Sequence, residues 1–168
     1  RIGNPYLGFL YVGIMIVKRE PYVIEFNVRM GDPETQVVIP LLKSSLYRLL
    51  SDCLEGKLSQ SVIEVSESTA VTVVLASEGY PGKYYIGQVI TGVDADDIVF
   101  HAGTKVENGR LCTSGGRVLN VIGFGESLEE AIESAYDKVD AIKYNGKYYR
   151  KDIGKKGLNY LERNNNVC

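Results

Sequence analysis

Residues 8–17 (GFLYVGIMIV) form an unbroken apolar run, and residues 22–28 (YVIEFNV) form a second after the polar break 18–21. Two such runs around a short break predict an antiparallel hairpin. Further on the rhythm changes. Leu46, Leu49, Leu50, Cys53 and Leu54 recur at helical spacing behind Ser44 and Ser45, either of which can cap the helix. Residues 55–68 are polar and weakly patterned, so a boundary or linker is placed there.

The second half predicts a small unit of strands and helices. Residues 69–76 (TAVTVVLA) are apolar and β-branched, the signature of a buried strand. Gly79-Tyr80-Pro81-Gly82 is a turn, and residues 84–90 and 98–102 read as shorter strands. Asn108-Gly109 predicts a tight hairpin between residues 104–106 and 110–113, and residues 117–121 return as a strand. Ser127 with Glu130 three positions on forms a capping box. The helix it opens carries Leu128, Ile132, Ala135, Val139 and Ile142 as an apolar stripe, which serves core packing. Asn145-Gly146 predicts one more hairpin, and residues 164–166 read as a frayed tail. The expected class is α+β.

Composition narrows the function classes. At 45% hydrophobic residues the 168-residue chain can bury a core. A net charge of -2 offers no basis for nucleic-acid or anionic-membrane binding. No apolar run approaches the roughly 20 residues of a membrane span. Cys53, Cys112 and Cys168 are scattered without CxxC spacing, which suits reduced thiols of a cytoplasmic protein. One histidine, His101, argues against zinc. The chain opens at Arg1 and enters a strand almost at once, so it is read as part of something longer.

The densest chemistry lies in residues 23–36, VIEFNVRMGDPETQ. Strand side chains alternate between faces, so Glu25 and Asn27 share one face while Ile24, Phe26 and Val28 take the other. A carboxylate beside an amide oxygen suits a hard cation that keeps waters and phosphates in its shell. The same pair also fits the solvated face of a half-buried sheet. Arg29, Asp32 and Glu34 follow in a loop turned by Gly31 and Pro33. Arg29 could anchor a carboxylate or lie on the surface beside acids, and Asp32 and Glu34 could instead cap the loop. His101 could touch substrate or close a strand-end hydrogen bond. Arg117 follows two glycines that would let backbone approach a ligand; it could reach an anionic group or form an ion pair. Lys151 and Asp152 read most simply as a solvated pair.

The run VIEFNVRMGDPETQ, preceded by GFLYVGIMI and followed in order by GYPG, VFHAGT, TSGGRVLNV and YRKDIG, resembles the C-terminal part of the phosphoribosylamine–glycine ligase family. These are purine-biosynthesis enzymes of the ATP-grasp superfamily. GYPG or SGG alone is a weak signal, whereas the ordered set covers nearly the whole chain. The resemblance implies residues 1–58 as the end of an ATP-grasp domain, 59–68 as a linker, and 69–168 as a small, mainly antiparallel β domain of rudiment single-hybrid type. It implies Glu25 and Asn27 as ligands of Mg²⁺ or Mn²⁺ and Arg29, Asp32 and Glu34 as the loop lining the phosphoryl-transfer and substrate pocket, with Arg29 and Asp32 catalytic and Glu34 substrate-binding. Arg117 and His101 are added as substrate-binding candidates from their own settings. ATP, glycine and 5-phosphoribosylamine are the implied substrates, and the preceding portion of the same enzyme is the implied partner. The chain by itself is expected to be inactive. A non-catalytic structural or oligomerisation module is the alternative.

Overall fold

The computed structural model describes residues 3 and 5–165. The chain divides into two compact units, Arg1–Ser66 and Glu67–Cys168. The class is α+β, as the alternation of strand and helix patterns predicts.

The first unit opens with the expected hairpin, β1 (Tyr11–Val17) antiparallel to β2 (Glu20–Asn27). The turn is tighter than residues 18–21. Only Lys18 and Arg19 link the strands, both at positive φ (51° and 70°), while Pro21 lies in β2 opposite Ile16. Two positive-φ residues match the twist of the flanking strands. The register slips after Gly13, which faces Glu25 while Ile14 faces Val23. Ile24 is therefore an extra residue, a β-bulge, and falls out of the strict alternation expected of it.

A helix that the pattern does not predict follows: α1 (Thr35–Leu41). Its sequence TQVVIPL is β-branched and holds Pro40, which argues against a helix interior. Pro40 sits in the last turn, one residue before the helix ends. Helix α2 (Leu46–Leu54) is capped by Ser45, whose Oγ accepts from the Arg48 amide at 3.4 Å. The expected linker is not featureless. Val65 bridges Leu42, the Glu64 amide donates to Ser44 Oγ (2.8 Å), and Ser61 Oγ donates to Asp52 Oδ2 (2.7 Å).

The second unit is built on a four-stranded sheet in the order β4-β7-β3-β8, with β3 (Thr69–Ser77), β4 (Val99–His101), β7 (Arg117–Gly125) and β8 (Lys147–Tyr148). A separate hairpin joins β5 (Thr104–Glu107) to β6 (Arg110–Thr113) through Asn108 and Gly109, both at positive φ. Helix α3 (Leu128–Ala141) starts at Ser127, whose Oγ accepts from the Glu130 amide (3.1 Å), while Glu130 reaches back to the Glu126 amide (2.9 Å). Its Ala131, Ala135 and Val139 are fully buried with Val73, Leu75, Leu119 and Val121, which makes this the core. β7 runs past residue 121, paired with β3 as far as Gly125, and α3 lies directly on its Gly123. A Cβ there would stand 2.2 Å from the Ala131 carbonyl oxygen.

Three local expectations fail here. Residues 84–90 form no strand: Gly87 at φ 82° interrupts them, and only Val89 bridges to Cys112. Residues around Asn145-Gly146 turn back, but the two arms take different partners, Lys143 bridging Thr91 and β8 pairing with β3. The tail does not fray at Asn164, since α4 (Lys155–Asn165) continues to Asn165; Asn166 and Cys168 lie outside the described residues. Cys53 and Cys112 are free thiols. Among the described residues no helix is long and apolar enough to cross a membrane.

Candidate metal and substrate site

Directly opposed residues of an antiparallel pair share a face. Glu25 faces Gly13 and Asn27 faces Tyr11, so one face of the hairpin end carries Tyr11, Glu25 and Asn27 over the bare Gly13. The absent side chain matters, because a Cβ on Gly13 would stand 3.1 Å from Glu25 Cγ. The bulge at Ile24 precedes this stretch, leaving Glu25 and Asn27 in the two-residue alternation that aligns them.

The loop after β2 folds back toward the same face. Glu34 occupies the N-cap position of α1 yet makes no side-chain cap hydrogen bond. Its Oε1 instead accepts from the Tyr11 hydroxyl at 3.4 Å. The Tyr11 phenol is held above its ordinary pKa, first by the Glu34 charge, then by burial, the hydrogen bond to Glu34 and the Glu25 charge, with Arg29 opposing. Glu25, Arg29 and Glu34 thus all lie within electrostatic reach of the Tyr11 hydroxyl. Arg29 donates through Nη1 to the Met30 carbonyl (3.0 Å), and Asp32 Oδ1 accepts from Gln36 Nε2 (2.9 Å).

His101 and Arg117 belong to the second unit. His101 Nδ1 lies 3.0 Å from Thr104 Oγ1, a strand-end hydrogen bond that leaves Nε2 for another partner. Arg117 opens β7 opposite Ala76. The glycines before it make room for the chain itself rather than for a ligand. A Cβ on Gly116 would strike the Tyr80 ring at 2.0 Å, and Gly115 abuts Gly103. Asp152 pairs with Arg150 rather than Lys151, through Nε (3.0 Å) and Nη2 (2.8 Å), and this contact holds its carboxyl below the usual range.

The donor set can be tested against a divalent ion. Among the described residues no group of three or more His, Cys, Asp and Glu side chains gathers to hold a metal. Two oxygen donors on one strand face therefore fit a Mg²⁺-like ion that fills its shell with water and substrate phosphates, and do not fit a closed protein cage. Tyr11 is the participant that sequence reasoning missed, because its place opposite Asn27 and its contact with Glu34 come from strand register and a returning loop.

The class is ATP-grasp, shown by the family model that matches the start of the chain. The ATP-grasp (A) domain model of phosphoribosylglycinamide synthetase matches residues 1–35, and the C domain model of the same enzyme matches residues 70–156. The chain belongs to the phosphoribosylglycinamide synthetase family. It is 51% identical over 162 residues to a phosphoribosylamine–glycine ligase of Chlorobaculum tepidum, covering 93% of this chain and 38% of that protein. It is 48% identical over 165 residues to the human trifunctional purine biosynthetic protein adenosine-3, covering 95% of this chain and 16% of that one. The crystal structure of a Thermotoga maritima phosphoribosylamine–glycine ligase superposes with a TM-score of 0.76 at 38% identity, over 85% of this chain and 36% of that one. The chain thus spans well under half the length of these relatives.

Proposed function

We propose that this chain forms part of an ATP-dependent ligase that joins glycine to 5-phosphoribosylamine in purine biosynthesis, in the cytoplasm. The observation that carries the reading is Glu25 and Asn27 side by side on the hairpin face, with Glu34 turned back toward them through Tyr11. In the proposed reaction the glycine carboxylate takes the γ-phosphoryl group of ATP, and the amine of phosphoribosylamine then displaces phosphate from glycyl phosphate.

Enzymes accelerate phosphoryl transfer mainly by positioning and by neutralising charge. Glu25 and Asn27 would hold Mg²⁺ or Mn²⁺, which when bound neutralises the β- and γ-phosphate oxygens. Arg29 is proposed to steady the carboxylate that attacks, and Asp32, tied to Gln36, to shape the catalytic loop. Glu34 is proposed as an acceptor for the amino-acid substrate. Arg117 and His101 are proposed as contacts for the anionic part of phosphoribosylamine, His101 through its remaining nitrogen. Residues 1–58 are assigned to the ATP-grasp domain, 59–68 to the connection, and 69–168 to the C domain.

The test is ADP release by the full-length enzyme with each substrate omitted in turn. The reading expects turnover only when ATP, glycine and phosphoribosylamine are all present. Turnover indifferent to glycine would remove it. A second reading, a self-associating structural module, draws on the exposed hairpin, where Ile16 and Phe26 are each 64% exposed. Sedimentation of the 168-residue chain over a concentration series checks it, and a constant monomer would dismiss it.

A further inference from the structure

We propose that Tyr11 and Gly31 are positioning residues that hold the Glu34 carboxylate ready for the ammonium group of the amino-acid substrate. The inference rests on the ligase reading above and adds to it how one substrate group is received. An exposed glutamate at the start of a helix ordinarily has two cheap uses, capping the helix or wandering in solvent. Glu34 stands at the N-cap of α1 without a cap hydrogen bond from its side chain; one carboxylate oxygen instead accepts from Tyr11 and the other lies against Gly31.

On one side the Tyr11 hydroxyl donates to Oε1 from a strand position paired with Asn27. On the other, Oε2 folds against Gly31, where an added Cβ would stand 2.3 Å from that oxygen. Gly31 is itself buried and is fixed by its carbonyl, which accepts from the Thr35 amide at 3.1 Å and from the Thr35 hydroxyl. A carboxylate held this way retains lone pairs on both oxygens, since each has capacity for two bonds. Those lone pairs suit a cationic donor, and an ammonium group bonded to a carboxylate makes the stronger, charge-assisted kind of contact. Preorganisation lowers the cost of binding because the carboxylate is already ordered before the substrate arrives.

The experiment is steady-state kinetics on the full-length enzyme with Tyr11→Phe, Gly31→Ala, Glu34→Ala and the Tyr11→Phe/Glu34→Ala pair. Tyr11→Phe keeps the ring and removes only the donor. The expected result is a KM for glycine raised about three- to tenfold, the scale of one lost hydrogen bond. kcat and half-saturating Mg²⁺ stay near their original values. Gly31→Ala shifts the glycine KM in the same direction by displacing Oε2. The double variant is no worse than Glu34→Ala alone, since Tyr11 acts through that carboxylate. An unchanged glycine KM in Tyr11→Phe, a loss confined to kcat, or additive losses in the double variant would each overturn the proposal while leaving the ligase reading standing. A wild-type enzyme without glycine-dependent turnover would overturn both.

Discussion

Glu25 lies across Gly13, its Cγ 3.1 Å from where a Cβ on that glycine would stand. The proposed metal-holding carboxylate thus depends on a strand position that carries no side chain, contributed by the neighbouring strand. Gly13→Val should push the carboxylate aside and raise the Mg²⁺ requirement of the full-length enzyme several-fold, on the order of the loss of one oriented ligand contact. Magnesium titration of turnover reads this directly, and an unchanged half-saturation point would count against the geometry.

Gly123 makes a different kind of close approach. Its added Cβ would meet the Ala131 carbonyl oxygen at 2.2 Å and the Ala135 amide nitrogen at 2.3 Å, both backbone atoms of α3 that cannot swing away. Gly123→Ala is expected to destabilise the second unit by about 3 kcal/mol, the upper range for overpacking. Urea denaturation followed by circular dichroism checks it. A loss under about 0.5 kcal/mol would show that α3 can move off the sheet.

Alkaline pH offers a test of the core. The Tyr144 hydroxyl donates to the Ala76 carbonyl (2.9 Å), and burial pushes its pKa well above the ordinary 10.0. A phenol whose folded pKa is raised contributes stability that is complete below the unfolded value and is lost as pH rises above it. Stability should therefore fall above about pH 10, and Tyr144→Phe should flatten that fall. At neutral pH the same variant should cost about 1 kcal/mol for the lost hydrogen bond. Lys147 works in the opposite sense, since burial first and then Lys143 lower its pKa, so Lys147→Met serves as the companion variant.

The cap of α3 is a point where local chemistry alone was sufficient. Ser127 accepts from the Glu130 amide, as the three-residue spacing predicts. Ser127→Ala should cost about 1 kcal/mol, measured by thermal unfolding.

Legibility in the chain follows the range of the interactions involved. Turns and caps set by neighbouring residues, such as Asn108-Gly109 and Ser127, could be read without the fold. The β3 strand was legible because its apolar, β-branched residues are buried. Helix α1 was not, because its β-branched residues and Pro40 oppose a helix locally. The strand expected at residues 84–90 failed because pairing there depends on β6, more than twenty positions away, and Gly87 breaks the run. At the candidate site, alternation was enough to align Glu25 with Asn27. Tyr11 was invisible because its role comes from cross-strand register and from a loop that returns to it.

Glu25 and Asn27 are proposed to hold the divalent ion of an ATP-dependent glycine ligase, a role that metal dependence reads out. Its most direct test is a Mg²⁺ and Mn²⁺ titration of glycinamide ribonucleotide formation by the full-length enzyme and its Glu25→Ala variant. Turnover is predicted to fall at least about 100-fold at ordinary metal concentration, with partial recovery at high metal. A Glu25→Ala enzyme with the same turnover and the same metal dependence as the wild type would contradict it.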